Sequence, residues 1–62
     1  MSNKYYLEVD KFLTQYENHK SYKEKTIGWI CDRIAWCWTW RKITEEEKNE
    51  LTDRIIKVME VA

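Results

Sequence analysis

The chain has no proline and only one glycine, Gly28, among its 62 residues. Both residue types supply the turns that separate short strands, so their scarcity argues against a sheet-rich fold. The sequence also lacks an excess of either charge, because 11 lysines and arginines balance 11 aspartates and glutamates. Overall charge therefore gives no indication that a nucleic acid or a membrane surface is the partner.

Cysteine and histidine are too few and too far apart to indicate a disulfide or a metal site. Within a helix, the six-residue step from Cys31 to Cys37 covers about 9 Å along the axis, which exceeds the Cα limit of about 7 Å for a disulfide. The single histidine, His19, lies twelve residues before Cys31, outside the usual spacing of metal ligands. We expect both cysteines to be buried apolar residues, with an intermolecular disulfide or a metal role as the alternatives, and His19 to be a polar turn residue.

Motifs of common catalytic sites are also missing, such as a glycine-rich phosphate loop, H-E-x-x-H or G-x-S-x-G. A chain of this size has little volume for a pocket of several hundred Å³. We therefore expect a protein that is not an enzyme and has no catalytic, cofactor-binding or metal-binding residues.

No stretch of the sequence indicates a membrane span or a secretion signal. The most apolar segment, residues 26–40, carries Asp32 and Arg33 and is too short to cross a bilayer. The N-terminal residues show no apolar core or cleavage site of a signal peptide. These observations predict a cytoplasmic protein without a membrane role.

Apolar residues recur every three or four positions, a spacing that predicts an all-α protein with one small helical domain over residues 1–62. The first apolar face predicts helix 1 at residues 4–17. Polar residues then interrupt the pattern, and Ser21 with Glu24 has the capping-box spacing, in which a hydroxyl and a carboxylate each accept a free backbone N–H. Helix 2 is therefore expected at residues 22–42.

The third helix has the strongest start signal. Thr44 and Glu47 repeat the capping-box spacing, and three successive glutamates lie at the positive end of the helix dipole, so helix 3 is expected at residues 45–61. The apolar rhythm does not slip between the three segments, and a long helix in an oligomeric coiled coil is the alternative. We favour three helices because a continuous seam would contain charged and polar residues at both proposed turns. These residues are Lys20, Lys23, Arg41, Thr44 and Lys48.

All four tryptophans lie in predicted helix 2, where they occupy two opposite faces. Trp38 lies among apolar residues on one face, whereas Trp29, Trp36 and Trp40 lie about 180° away, in line with Tyr22. One interpretation is that helix 2 is a central core element that is packed on both faces. The other is that one face remains a contact surface, because the two neighbours of a helix in a three-helix bundle lie on adjacent sides.

Charge is divided between the two halves of the chain. Residues 21–43 hold five basic and two acidic residues, a net +3, whereas residues 44–62 hold three basic and six acidic residues, a net −3. One interpretation is that helix 3 packs antiparallel to helix 2 and that the charges neutralise across their seam. The other is an acidic face offered to a basic partner, with Glu46, Glu50 and Asp53 as its residues.

Size gives the last indication, because a chain of 62 residues buries only about 60% of its unfolded surface and usually needs a staple or a partner. The sequence therefore predicts a non-enzymatic, protein-binding module that acts as a homodimer or higher homo-oligomer. Adaptors or inhibitors encoded by phages and mobile elements are of this kind. The alternative is a nucleic-acid-binding accessory protein that uses basic helix 2, although a neutral chain attracts phosphates weakly. The expected contact residues are Tyr22, Trp29, Arg33, Trp36 and Trp40.

Overall fold

The computed structural model describes residues 3–61 of the chain, which form three helices joined by two connections and contain no strand. The helices are α1 (Lys4–Glu17), α2 (Ile27–Thr39) and α3 (Glu45–Val61). The all-α class is thus confirmed, and α1 and α3 occupy the ranges that their apolar spacing predicts. The alternative of one continuous helix is wrong, because the chain turns between α1 and α2 and again between α2 and α3.

The three helices form a bundle in which each helix contacts the other two. α1 and α2 are antiparallel, because Tyr5 near the start of α1 lies beside Trp36 near the end of α2. α1 and α3 are parallel, since early residues pair with early ones, as Tyr6 does with Glu50. The start of α1, the end of α2 and the start of α3 therefore share one end of the bundle, which we call the patch end.

The start of α2 differs from the prediction, which placed helix 2 at residues 22–42. The Ser21–Glu24 capping box does not form, because the backbone N–H of Glu24 donates to Gln15 Oε1 at 2.9 Å. Gln15 Nε2 in turn donates to Glu24 Oε1 at 2.9 Å, and this exchange ties the connection to α1. The helix begins after Thr26 instead, whose hydroxyl accepts the Trp29 N–H at 3.1 Å. The N-cap of α2 is therefore Thr26, five residues after the predicted N-cap Ser21.

Two helices end with a residue in the left-handed backbone region, although the chain has no glycine at either place. His19 follows α1 with φ 54°, and Arg41 follows α2 with φ 57°. After α1, the His19 N–H donates to the Tyr16 carbonyl and the Lys20 N–H to the Gln15 carbonyl. This pair of bonds is the Schellman motif, whose left-handed position glycine usually occupies. His19 is therefore a turn residue, as expected, and it holds a conformation that a Cβ disfavours.

We expect His19→Gly to raise the free energy of unfolding by about 0.5–1 kcal/mol, because glycine removes the Cβ from the left-handed position. The gain is smaller than the strain itself, since glycine also increases the entropy of the unfolded chain. Urea unfolding followed by far-UV circular dichroism measures the change. His19→Ala is the control, because it deletes the imidazole and keeps the Cβ. Equal midpoints for the two variants would show that no strain is stored there.

The core lies between the three helices and is apolar throughout. α2 contributes Ile30, Ile34 and Cys37, so its buried face passes between the two tryptophan faces that its sequence suggests. Cys31 is exposed, which contradicts the expectation that both cysteines are buried. The Cys31 side chain is exposed because it lies at the seam between α2 and α3 rather than in the core. The buried side chains are Val9, Phe12, Leu13, Ile30, Ile34, Cys37, Ile43, Leu51 and Ile55.

Candidate protein-interaction surface

Two of the four tryptophans are partly covered by the bundle. Trp29 packs edge-on against Phe12 of α1, with ring centroids 5.4 Å apart at 90°. Trp38 lies on the α3 side of α2, where Lys48 Nζ is 4.9 Å and the Arg41 guanidinium carbon is 4.2 Å from its ring centroid. Both rings are half-buried. They therefore act mainly as structural residues at the two edges of the core.

The other two tryptophans leave a large part of their surface in water. Trp36 is 40% exposed and Trp40 is 63% exposed. Their ring centroids lie 6.5 Å apart, and the Trp36 centroid lies 6.3 Å from that of Tyr5 on α1. We call Tyr5, Trp36 and Trp40 the aromatic end patch, because these three rings line the seam between α1 and α2 at the patch end.

Positive charge surrounds the aromatic end patch. Lys4 Nζ lies 5.3 Å and Lys42 Nζ lies 5.6 Å from the Tyr5 ring centroid, while the Arg33 guanidinium carbon lies 4.5 Å from that of Trp36. Such distances allow cation–π attraction. The Arg33 Nε donates to Glu8 Oε1 at 2.9 Å, so one of these cations is paired. Three cations and one carboxylate give the patch a net charge of +2 on a neutral chain.

The structure brings together only part of the predicted contact set. Arg33, Trp36 and Trp40 share one surface, whereas Trp29 is turned onto Phe12. Tyr22 is 76% exposed but lies in the connection between α1 and α2, at the opposite end of the bundle from Trp40. The prediction that Tyr22 lies in line with the tryptophans on helix 2 is therefore wrong, because that helix begins only at residue 27.

The residues of this candidate surface that sequence reasoning missed come from outside α2. Tyr5 and Lys4 lie at the start of α1, and Lys42 follows α2. Tyr5 has a signal in the sequence, since it starts the apolar face of helix 1. Its position beside Trp36 depends on the antiparallel pairing of α1 and α2, which the periodicity of a single helix does not encode.

The predicted acidic face of α3 is exposed at all three of its residues, Glu46, Glu50 and Asp53. Glu50 Oε2 accepts the Tyr6 hydroxyl at 2.6 Å. This hydrogen bond to a carboxylate, followed by burial, raises the pKa of Tyr6 to about 12. Glu46 and Asp53, seven positions apart, lie on the outer side of the helix, whereas the bond to Tyr6 turns the Glu50 carboxylate toward α1.

Among residues 3–61, no ion pair joins α2 to α3, so the expected neutralisation of charge across their seam does not take the form of ion pairs. In the described part of the chain, Arg54 of α3 pairs with Asp10 and Glu17 of α1. Arg33 of α2 also pairs with α1, through Glu8. A further pair joins Lys11 of α1 to Glu24 in the connection between α1 and α2. The ion pairs of residues 3–61 thus all involve α1, and they leave Glu46 and Asp53 of the acidic face exposed to solvent.

A groove of about 340 Å³ runs along the α2–α3 seam. Its walls are mostly apolar and include Cys31, Ala35 and Ile56, and the charged residue that lines it is Lys48. Cys31 therefore places an exposed thiol in an apolar setting. Cys37 differs, because it is fully buried and its burial raises the pKa of its thiol. Sequence reasoning did not predict this groove.

Residues 3–61 contain no group of three or more His, Cys, Asp or Glu side chains that could hold a metal ion. Within the same range, no helix has the length and apolar character needed to cross a membrane. Comparison with known proteins found no matching family model, curated protein or solved structure.

Proposed function

We propose that the protein is a non-enzymatic, protein-binding module and that the aromatic end patch is its contact surface. The observation that carries the proposal is the pair of neighbouring rings, Trp36 and Trp40, left 40% and 63% exposed. Large flat rings release much water when a partner covers them, and Trp, Tyr and Arg are the residues most often found at binding hot spots. An adaptor or inhibitor works through such a surface and needs no catalytic group.

Association with further copies of the chain is part of the proposal. The small size of the domain supports it, since a chain of 62 residues buries only about 60% of its unfolded surface and a second copy would bury more. We also propose that the protein acts in the cytoplasm. Both cysteines are free thiols, and reduced cysteine is typical of that compartment.

We expect Trp40→Ala to reduce association with protein partners at least about tenfold, because truncation of a hot-spot ring commonly costs 2 kcal/mol or more of binding energy. The fold should remain, since the ring is 63% exposed. The measurement is the mass in solution by light scattering after size exclusion, at two concentrations about a hundredfold apart. Capture from an extract of the source cell complements it.

Tyr22→Ala is the matched control for Trp40→Ala. Tyr22 is a more exposed aromatic residue, at 76%, and lies at the opposite end of the bundle. Its loss should change neither the mass nor the captured proteins. If wild type, Tyr22→Ala and Trp40→Ala have the same masses and capture the same proteins, the aromatic end patch is not a contact surface and the proposal fails.

Binding of single-stranded nucleic acid is a second candidate, favoured by one observation. Lys4 and Lys42 lie beside Tyr5 in the patch of neighbouring rings, and a combination of aromatic rings and cations can hold unpaired bases and their phosphates. We rank it second because the first turn of α3, which lies at the same end, carries three glutamates that repel phosphate. A gel shift of labelled single-stranded DNA that Trp40→Ala abolishes would favour it. No shift at about 50 mM salt would exclude it.

A further inference from the structure

The charge of the aromatic end patch restricts how a second copy can bind there. This inference rests on the proposed function, because it identifies the partner of the same surface. In a two-fold symmetric dimer, each residue of the patch would face the patch of the other copy. Two copies of the same patch, each with Lys4, Lys42 and the Arg33–Glu8 pair, would then face each other, which places +2 against +2. Like charges brought together in this way oppose association and select another partner surface.

The same molecule carries a surface of opposite charge. Glu46 and Asp53, the outer members of this acidic face, are seven positions apart on α3, which is about 10 Å along the helix. Lys4 Nζ and Lys42 Nζ lie 5.3 and 5.6 Å from the Tyr5 ring centroid, so the two ammonium groups are at most about 11 Å apart. The spacing of Glu46 and Asp53 along the helix therefore lies within the range that lets each carboxylate pair with one lysine.

The two surfaces point away from each other. The patch lies in the seam between α1 and α2, whereas the carboxylates of Glu46 and Asp53 lie on the outer side of α3, the third helix. In a three-helix bundle, the outer side of one helix is opposite the seam between the other two. One copy therefore cannot bind its own acidic face, and two copies cannot satisfy both surfaces at once.

We propose that the aromatic end patch of one copy binds the acidic face of α3 of the next copy, head to tail. Carboxylates of Glu46 and Asp53 would pair with Lys4 and Lys42, while Trp36 and Trp40 cover the outer side of the helix. A head-to-tail contact that does not close produces an open chain of copies. Lys57, one turn beyond Asp53, would lie at the edge of each contact.

The test reverses the charge of one surface at a time. The patch variant is Lys4→Glu with Lys42→Glu, and the face variant is Glu46→Lys with Asp53→Lys. Both variants leave Glu50 bonded to Tyr6.

For the wild type, we expect the average mass to rise continuously with concentration from 7.7 kDa. Each variant alone should associate at least about tenfold more weakly, since close charge pairs contribute strongly to association. Lys20→Glu, at the opposite end of the bundle, is the control and should behave as wild type.

A mixture of the two variants gives the decisive result. The intact patch of the face variant can bind the intact acidic face of the patch variant, so we expect the mixture to recover association that neither variant shows alone. Wild-type association should also weaken as salt rises from about 50 to 500 mM, because screening shortens the range of charge interactions below 10 Å.

Three results would overturn the head-to-tail contact. The first is a protein that stays monomeric up to about 1 mM at about 50 mM salt. The second is a closed dimer that neither charge reversal nor salt changes, which would place self-association elsewhere, for example in the α2–α3 groove. The third is a mixture that recovers nothing. If the wild type is monomeric but Trp40→Ala still loses a captured protein or labelled DNA, the patch binds a different molecule, and the head-to-tail contact alone has failed.

Discussion

Leu13→Ala is expected to lower the free energy of unfolding by about 2–5 kcal/mol, the usual cost of replacing a buried leucine by alanine. Leu13 is 0% exposed and lies in the middle of α1, where it faces both other helices. A domain of this length has a total stability of roughly 3–9 kcal/mol. The change therefore removes a large share of that stability. Urea unfolding monitored by circular dichroism measures the loss. The measurement is made at low temperature, where the destabilised variant is still folded in the absence of urea.

Leu7→Ala is the matched control, because it removes the same atoms from the same helix at a position that is 45% exposed. Its cost should stay below about 1 kcal/mol, since little apolar surface leaves water there on folding. Similar midpoints for Leu7→Ala and Leu13→Ala would contradict the core described here and would indicate that α1 is packed on a different face.

The second large effect is expected from Arg54, which connects α3 to α1. Its guanidinium donates to both carboxylate oxygens of Glu17, at 2.7 and 2.8 Å, and to Asp10 Oδ1 at 2.6 Å. The Arg54 side chain is only 17% exposed. Arg54→Met keeps most of the apolar stem and removes these bonds. We expect a loss of about 1–2 kcal/mol, toward the low end for charged hydrogen bonds because Asp10 and Glu17 remain more than a third exposed.

The pH dependence of stability gives an independent test of this cluster. The hydrogen bond from Arg54 holds the pKa of Glu17 below its ordinary value of 4.5. A carboxylate with a lowered pKa stabilises the fold fully above its ordinary value, and this stabilisation is lost as the pH falls through the lowered one. Wild type should therefore lose stability below about pH 4.5 more steeply than Arg54→Met.

Lys57→Met controls for the loss of a positive charge from α3. Lys57 is exposed on the same helix, so the variant should change the unfolding midpoint by less than about 0.5 kcal/mol and keep the acid dependence of wild type. If Arg54→Met behaves like Lys57→Met at pH 7 and at pH 3.5, the cluster of Arg54, Asp10 and Glu17 does not contribute to stability in solution.

Local signals predicted the ends of helices correctly only where no distant residue competed. Thr44 and Glu47 form the predicted capping box, with mutual bonds of 2.9 and 3.1 Å, because both partners lie three residues apart. Ser21 and Glu24 have the same spacing and do not form it. Gln15, nine residues before Glu24, binds both the N–H and the carboxylate that the box would need. The two signals are equivalent in the sequence, and packing decides between them.

The exposure of the tryptophans shows the same limit. The spacing of residues 29–40 places Trp38 on one side of α2 and the other three tryptophans on the opposite side. Trp29 belongs to that second group but contacts Phe12, because α1 runs along its edge of α2. Trp40 comes after the last residue of the helix and stays in water. Which ring is covered thus depends on the path of the neighbouring helix.

The sequence by itself determined the helical class, the extent of α1 and α3, the absence of familiar catalytic motifs and the acidic outer side of α3. Each of these follows from residue type or from neighbours three or four positions apart, which meet in any helix. Tertiary structure alone decided the start of α2, the exposure of Cys31 and the composition of the aromatic end patch. Tyr5 and Trp36 are 31 positions apart in the chain, and they meet only because α1 and α2 pack antiparallel around a shared core.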